Sequence, residues 1–195
     1  MNKKSYHHGD LRNIMIEKGL EIITEEGKGS LSLRKLAAAC GVSHAAPYAH
    51  FADKKGLMDA ILEHITEQFS AVLQAAIDEH GVTKKGLFHL SYAYVMFFGK
   101  NPNYFEFIFN VAEITIDRES SYEPYDIFKS LAKELVVLKG YTPENGLRTL
   151  LAHWALMHGL AAIACMAGNE PEEIEAWTRE ILLKNHILYL EDSTC

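Results

Sequence analysis

Histidine and cysteine are the residues through which this chain could hold a metal or do covalent chemistry, and their spacing supports neither. The 10 histidines and three cysteines form no CxxC pair and no HExxH, and the chain has no GxSxG and no Walker loop. His7 and His8 lie beside Asp10, but adjacent side chains point apart, and His153 and His158 are five residues apart, poorly placed on a helix for one ion. Neither an enzyme nor a cofactor or metal is expected. Cys40, Cys165 and Cys195 make an odd set with no disulfide framework, which fits the cytoplasm. Lys3 and Lys4 are followed by polar residues where a signal peptide needs an apolar segment, and the longest apolar run, residues 160–167, is far below the roughly 18 residues of a membrane span, so no membrane partner is expected.

What remains is the chemistry of binding, and the charge distribution says where. The formal net charge is -7, yet residues 1–60 carry nine Lys/Arg against seven Asp/Glu. Residues 27–55 are more basic still, with Lys28, Arg34, Lys35, Lys54 and Lys55 against Asp53 alone. The rest of the chain is acidic, ten Lys/Arg against 19 Asp/Glu from residue 61 on. A short basic module ahead of an acidic body suits a polyanion such as DNA, whose phosphates reward clustered lysine and arginine.

The elements that must position these residues all show the helical period, and the expected fold is all-α. A first helix runs from about Asp10 to Glu26, with Leu11, Ile14, Met15 and Ile22 on its stripe and Gly27 and Gly29 beyond its end. Ser32 caps a short second helix through Leu33, Leu36, Ala37 and Cys40, which Gly41 ends. The Ser43 hydroxyl is expected to cap a third, from His44 to about His50. Asp53 caps a fourth, whose stripe of Leu57, Ile61, Ile65, Phe69, Val72 and Ala76 makes it long enough to join two domains. Beyond Gly81, breakers at 99–103, 117–124, 140–146 and 167–171 leave four or five further helices.

Two short helices joined at Gly41 have the grammar of a helix-turn-helix, with small Ala37 at the crossing, Val42 as an apolar plug and Phe51 anchoring the far end. Residues 10–57, including SLRKLAAACGVSHAAPYAHFADKKGL, resemble the tetracycline-repressor-like (TetR) family of bacterial regulators. The resemblance implies an N-terminal three-helix DNA-binding domain, residues 1–55, joined by the fourth helix to a helical ligand-binding and dimerisation domain, residues 56–195. It also implies that Tyr48 and Lys54 contact phosphates, with Ser32, Ser43 and Lys55 beside them, and that His44, Ala45, Ala46 and His50 lie at or near base edges. Pro47 stands where the family usually has leucine and is expected to pack inward. Ala45 and Ala46 cannot make bidentate hydrogen bonds, which leaves His44 as the main polar reader and gives DNA shape more weight.

Of 20 aromatic residues, 12 lie between Phe88 and Phe128. They suit either an ordinary core or an apolar cavity, and Tyr92, Phe97, Tyr104, Phe107, Phe109, Trp154 and His158 are the candidates for lining a small-molecule site. His158 can hydrogen-bond a ligand, cap a packing contact or sit satisfied in the core. The stretch from His153 through Trp154 and His158 to Gly159 resembles the tryptophan, histidine, glycine signature of the WHG ligand-binding domain of one TetR branch. Such bodies dimerise through their last two helices, here about 144–166 and 172–190. Leu147, Leu151, Ala161, Ala162 and Cys165 on the first, and Ile174, Trp177, Ile181 and Leu188 on the second, are the expected interface. The whole reading is a cytoplasmic homodimeric regulator, a repressor that leaves a palindromic double-stranded DNA operator when a small apolar or aromatic effector binds. The competing readings are an effector-independent regulator, an activator, and a helical adaptor without DNA binding.

Overall fold

The computed structural model describes residues 8–111, 122–138, 140, 142–166 and 170–184, and every structural statement below concerns these. Among them the regular structure is helical, with eight α-helices: α1 His8–Glu26, α2 Leu33–Ala39, α3 Lys54–His80, α4 Lys84–Lys100, α5 Pro102–Glu106, α6 Glu123–Leu138, α7 Pro143–Ala164 and α8 Pro171–Lys184. Short 3₁₀ turns lie at Lys28–Ser30 and Pro47–Ala49, and α5 passes into a π-helical turn at Phe107–Val111.

The described residues form two compact units. The first holds the chain up to Ile65 and the segment that begins at Glu106; the second begins at Thr66, runs to Phe105 and takes up the rest. Helix α3, 27 residues and about 40 Å at 1.5 Å per residue, contributes to both.

In the first unit α1 buries Met15, Ile16, Leu20, Ile22 and Ile23, while Leu11 and Ile14 from the expected stripe are only half-buried. Gly19 lets α3 come close: a methyl group there would stand 3.3 Å from the tip of Ile61 and 3.5 Å from Leu57. Ser32 caps α2 by accepting from the Lys35 amide at 3.2 Å, and Asp53 caps α3 by accepting from the Gly56 amide at 2.8 Å. Gly41, at φ 65°, closes α2 in a Schellman arrangement in which its own amide donates to Ala38 O (3.1 Å) and the Val42 amide to Ala37 O (3.0 Å).

The third helix expected at His44–His50 is not an α-helix. Residues 44–46 form a turn and Pro47–Ala49 a single 3₁₀ turn. Pro47 has no amide to donate, so the segment closes through three-residue bonds, Ala46 to Ser43, Tyr48 to Ala45, Ala49 to Ala46 and His50 to Pro47. No side-chain cap precedes the 3₁₀ turn, so the Ser43 cap is not made. Pro47 itself is buried, as expected.

In the second unit α4 packs against α6, α7 and α8. Its core is aromatic: Phe69 of α3 stacks on Phe97 at 4.9 Å and meets Tyr94 at 5.1 Å and Phe98 at 4.7 Å. The α3 stripe ends on Leu73, not on Val72, which is exposed; successive steps of four from Leu57 through Ile61, Ile65 and Phe69 lead to Leu73. Five α-helices follow Gly81, within the expected four or five.

Because nothing lies within 4 Å of a methyl placed on Gly41, Gly41→Ala tests backbone handedness alone. We expect it to destabilise the first unit by about 1 kcal/mol. Gly29→Ala, with equal space and no positive φ, should show no such loss in denaturant titrations.

Candidate nucleic-acid interface

The Schellman closure of α2 turns the chain so that Ser43, His44, Ala45 and Tyr48 stand exposed, Tyr48 with 61% of its surface open. Ala46 and His50 are half-buried, and the His50 ring lies 6.2 Å from Phe51. Phe51 is buried beneath the Arg12 guanidinium, 5.9 Å from its ring centroid. With Phe51 and Pro47 held in the interior, Ser43, His44, Ala45 and Tyr48 are aimed at solvent.

The lysines beside this surface are arranged by the backbone. Lys54 donates from Nζ to the Lys28 carbonyl at 2.6 Å, Lys28 from Nζ to the Val111 carbonyl at 3.1 Å, and Lys55 pairs with Asp59 at 2.6 Å. The exposed Ser32 uses its oxygen as the α2 cap, which leaves its O–H free to donate. A cavity of about 360 Å³ lies among Lys28, Lys54, Lys55, Met58, Asp59, Leu62, Phe107 and Val111, all of the first unit. Lys28 stands out in the sequence only through the charge count; nothing local marks it as lining a cavity.

The candidate effector residues divide between the units. Phe107 and Phe109 fall in the first, and buried Phe107 belongs to the lysine-rimmed cavity. In the second, Phe97 and Tyr104 are spent in the aromatic core, 5.9 Å apart. Tyr92 turns toward α8, where Arg179 lies 4.5 Å over its ring. Trp154 meets Tyr94 (5.4 Å), Tyr125 (4.9 Å) and Phe128 (5.2 Å). With Tyr125, Phe128, Leu150, Leu151, Lys129 and Lys133 it lines a cavity of about 330 Å³. His158 stacks with Trp154 and sits 3.1 Å from the Tyr94 hydroxyl through Nδ1. Burial lowers its pKa and raises that of Tyr94, so the bond joins a protonated phenol to a neutral ring.

A second buried histidine has no counterpart among the residues singled out from the sequence as site candidates. Ser91 Oγ donates to Leu87 O at 2.7 Å and lies 2.7 Å from His153 Nε2. One hydroxyl has one proton, so His153 must be the donor to Ser91, which leaves its buried Nδ1 as an acceptor with no partner. Burial lowers its pKa to about 4. The 62-residue separation of this pair leaves no local signal.

Of the expected dimerisation residues, Ala161 and Ile174 are buried within the unit, where Ile174 joins Val95, Leu160 and Ala164 in a cluster covered by Trp177 and Ile181. Ala162 is half-buried and Leu151 exposed. Cys165 donates its thiol to Phe98 O at 3.4 Å, and burial pushes its pKa up to about 11. Leu188 and Cys195 lie outside the described residues, as does the side chain of Leu147. The large apolar side chains left exposed on α7 and α8 and at the end of α7 are Leu151, Ile163, Met166 and Leu183.

The first unit combines α1, α2 and the start of α3 with an exposed turn that precedes Lys54 and Lys55, and the second is an aromatic helical bundle, the architecture of two-part helix-turn-helix proteins. Residues 15–61 match the family described as bacterial regulatory proteins, tetR family. The chain is 33% identical over 72 residues to the nucleoid occlusion factor SlmA of Shewanella woodyi, 37% of this chain and 36% of that one. It thus spans only about a quarter to a half of the curated relatives it matches. Over 92% of its length it superposes on 97% of a Rhodococcus sp. RHA1 protein of unknown function at 26% identity and TM-score 0.67. Over 89% of its length it superposes on 96% of the TetR family transcriptional regulator PfmR from Thermus thermophilus, at 18% identity and TM-score 0.66. The match to the TetR family model covers about a quarter of the chain, and the described residues have the fold of TetR family transcriptional regulators. Among the described residues no helix is long and apolar enough to cross a membrane, and no group of three or more potential metal ligands occurs.

The buried His153 predicts a pH dependence. An unfolded histidine takes up its proton near 6.5, the folded one only near 4, so between these values the unfolded chain holds more protons and acidification favours unfolding. Above 6.5 the effect vanishes; by pH 4 it reaches roughly 3 kcal/mol. Denaturant midpoints should fall across that window and fall less in His153→Gln, and parallel curves for the two proteins would refute the assignment.

Proposed function

We propose that this chain is a homodimeric transcriptional repressor that binds a palindromic operator and releases it when a small apolar or aromatic effector binds. The observation that carries the reading is the exposed turn bearing Ser43, His44, Ala45 and Tyr48 beside Lys54 and Lys55, inside the segment that matches the family. Tyr48, Lys54, Lys55 and Ser32 offer donors to phosphates, and His44 a polar contact to base edges. His50 packs on Phe51 and serves as a support for the turn.

Two half-sites require two copies, and the exposed Leu151, Ile163, Met166 and Leu183 supply an apolar surface for the second. The WHG resemblance and the cavity beside Trp154 favour an effector held among aromatic rings in the second unit. Helix α3, which contributes to both units, is the element through which a ligand would shift the population of DNA-competent arrangements. By linkage such a ligand binds the operator-bound form less well. A regulator has no need of the covalent chemistry for which the sequence lacks motifs.

Fluorescence anisotropy on operator sites selected from random DNA, at two salt concentrations, tests the reading. The expected result is sequence-selective binding that weakens steeply with salt. Tyr48→Phe combined with Lys54→Ala should weaken binding to every sequence and flatten the slope of log K against log salt by about 0.9 for each phosphate that is no longer neutralised. No preferred site, or an unchanged slope in the variant, would overturn it.

A further inference from the structure

We propose that the stacked rings of His80 and His89 form an acid-sensitive latch on the corner between α3 and α4, one that stays shut while at most one ring is charged and opens when both are. His80 is the last residue of α3, and His89 lies in the second turn of α4. Their ring centroids are 3.7 Å apart and the planes are tilted by 33°, so the rings meet face to face. Both belong to the second unit.

The corner they span is tight. Gly81 turns the chain at φ 67°, and its amide donates to Ile77 O at 2.7 Å. Thr83 Oγ1 donates to His80 O at 2.9 Å and accepts from the Gly86 amide at 3.0 Å. Gly86 has no room for a side chain against the Gly81 carbonyl. The stack joins the two helices across this corner, so parting the rings removes a brace that the backbone bonds do not supply.

Charge decides whether the rings stay together. A neutral imidazole accepts a neutral or a charged ring on its face, whereas two imidazolium ions at this separation repel. Glu79 and His80 act on His89 from α3, Lys85 from its own helix, and Arg179 from α8, where Glu175 pairs with the guanidinium at 3.0 Å. Of these only Glu79 favours a proton on His89, and it also lies 3.6 Å from His80 Nε2, so one carboxylate serves two rings. Burial, then His80, Lys85 and Arg179, hold the pKa of His89 below that of an ordinary histidine. The stabilisation is therefore complete above the unfolded value near 6.5 and is lost as acid charges His89. Packing alone would be served by two apolar rings; a histidine pair makes the contact conditional on pH.

Imidazole nitrogen NMR of the full chain between pH 8 and pH 4, with the two residues assigned through His80→Phe and His89→Phe, follows each ring separately. His89 should take up its proton below 6.5. In His80→Phe, which keeps a ring to stack on and removes its charge, it should do so at a higher pH than in the wild type. Glu79→Gln, on an exposed side chain, should lower the midpoint, and it guards against a ring variant that fails to fold. Amide exchange at Thr83 and Gly86, corrected for the intrinsic effect of pH, should quicken as pH falls below 6.5, by up to about tenfold per pH unit, the limit for uptake of one proton. His89→Phe should flatten that dependence; it retains His153, so any loss through that buried ring appears in both proteins. A His89 midpoint at or above 6.5, or one that neither His80→Phe nor Glu79→Gln moves, overturns the charge coupling. Exchange that depends on pH equally in the wild type and in His89→Phe overturns the latch.

Discussion

A helix ends with carbonyls that have no partners, and the way α2 satisfies two of them decides where the next ten residues go. The amides of Gly41 and Val42 turn back onto Ala38 and Ala37, which requires the left-handed backbone that Gly41 adopts at φ 65°. From that point the chain can reach the interior only through Pro47 and Phe51, both buried. Ser43, His44, Ala45 and Tyr48 stay outside because these two anchors are inside. Pro47 then sets the local geometry: without its amide the segment closes in three-residue steps, a shorter and stiffer scaffold than an α-helix.

In the second unit the same economy of partners governs the polar groups. Helix α4 carries Ser91 and Tyr94 inward, and α7 meets them with His153 and His158 one to one. Each histidine stays neutral because burial disfavours its charged form. The proton count at Ser91 leaves His153 Nδ1 unpaired in the interior, a cost that a well-packed core tolerates only while the ring stays uncharged. The aromatic residues around Phe69, Tyr94 and Phe98 are structural packing; those at Trp154 border open volume.

The sequence is most legible where the physics is local. A side chain that caps a helix lies three residues from the amide it accepts, so Ser32 and Asp53 can be assigned on sight. Glycine terminators, the apolar period of α3 and the helices after Gly81 are legible for the same reason. The basic surplus of residues 27–55 points to the exposed face because charge of one sign in a short segment has few ways to hide. Pro47 declares its own burial, yet the helical pattern around it masks what the loss of one amide does to the segment: it turns an expected α-helix into a 3₁₀ turn.

By itself, then, the sequence determined an all-helical fold, the turn at Gly41, the candidate contact residues Ser43, His44, Ala45 and Tyr48 and the TetR resemblance. Those features depend on neighbours within a few positions. Only the tertiary structure decided that Phe107 and Phe109 side with the first unit, that Ala161 and Ile174 are used up in the protomer core, and that Ser91 meets His153. It alone brought Lys28 to the Val111 carbonyl, 83 residues away. Such pairings follow from how faces of comparable hydrophobicity are matched, and an apolar stripe carries no label for the stripe it will cover.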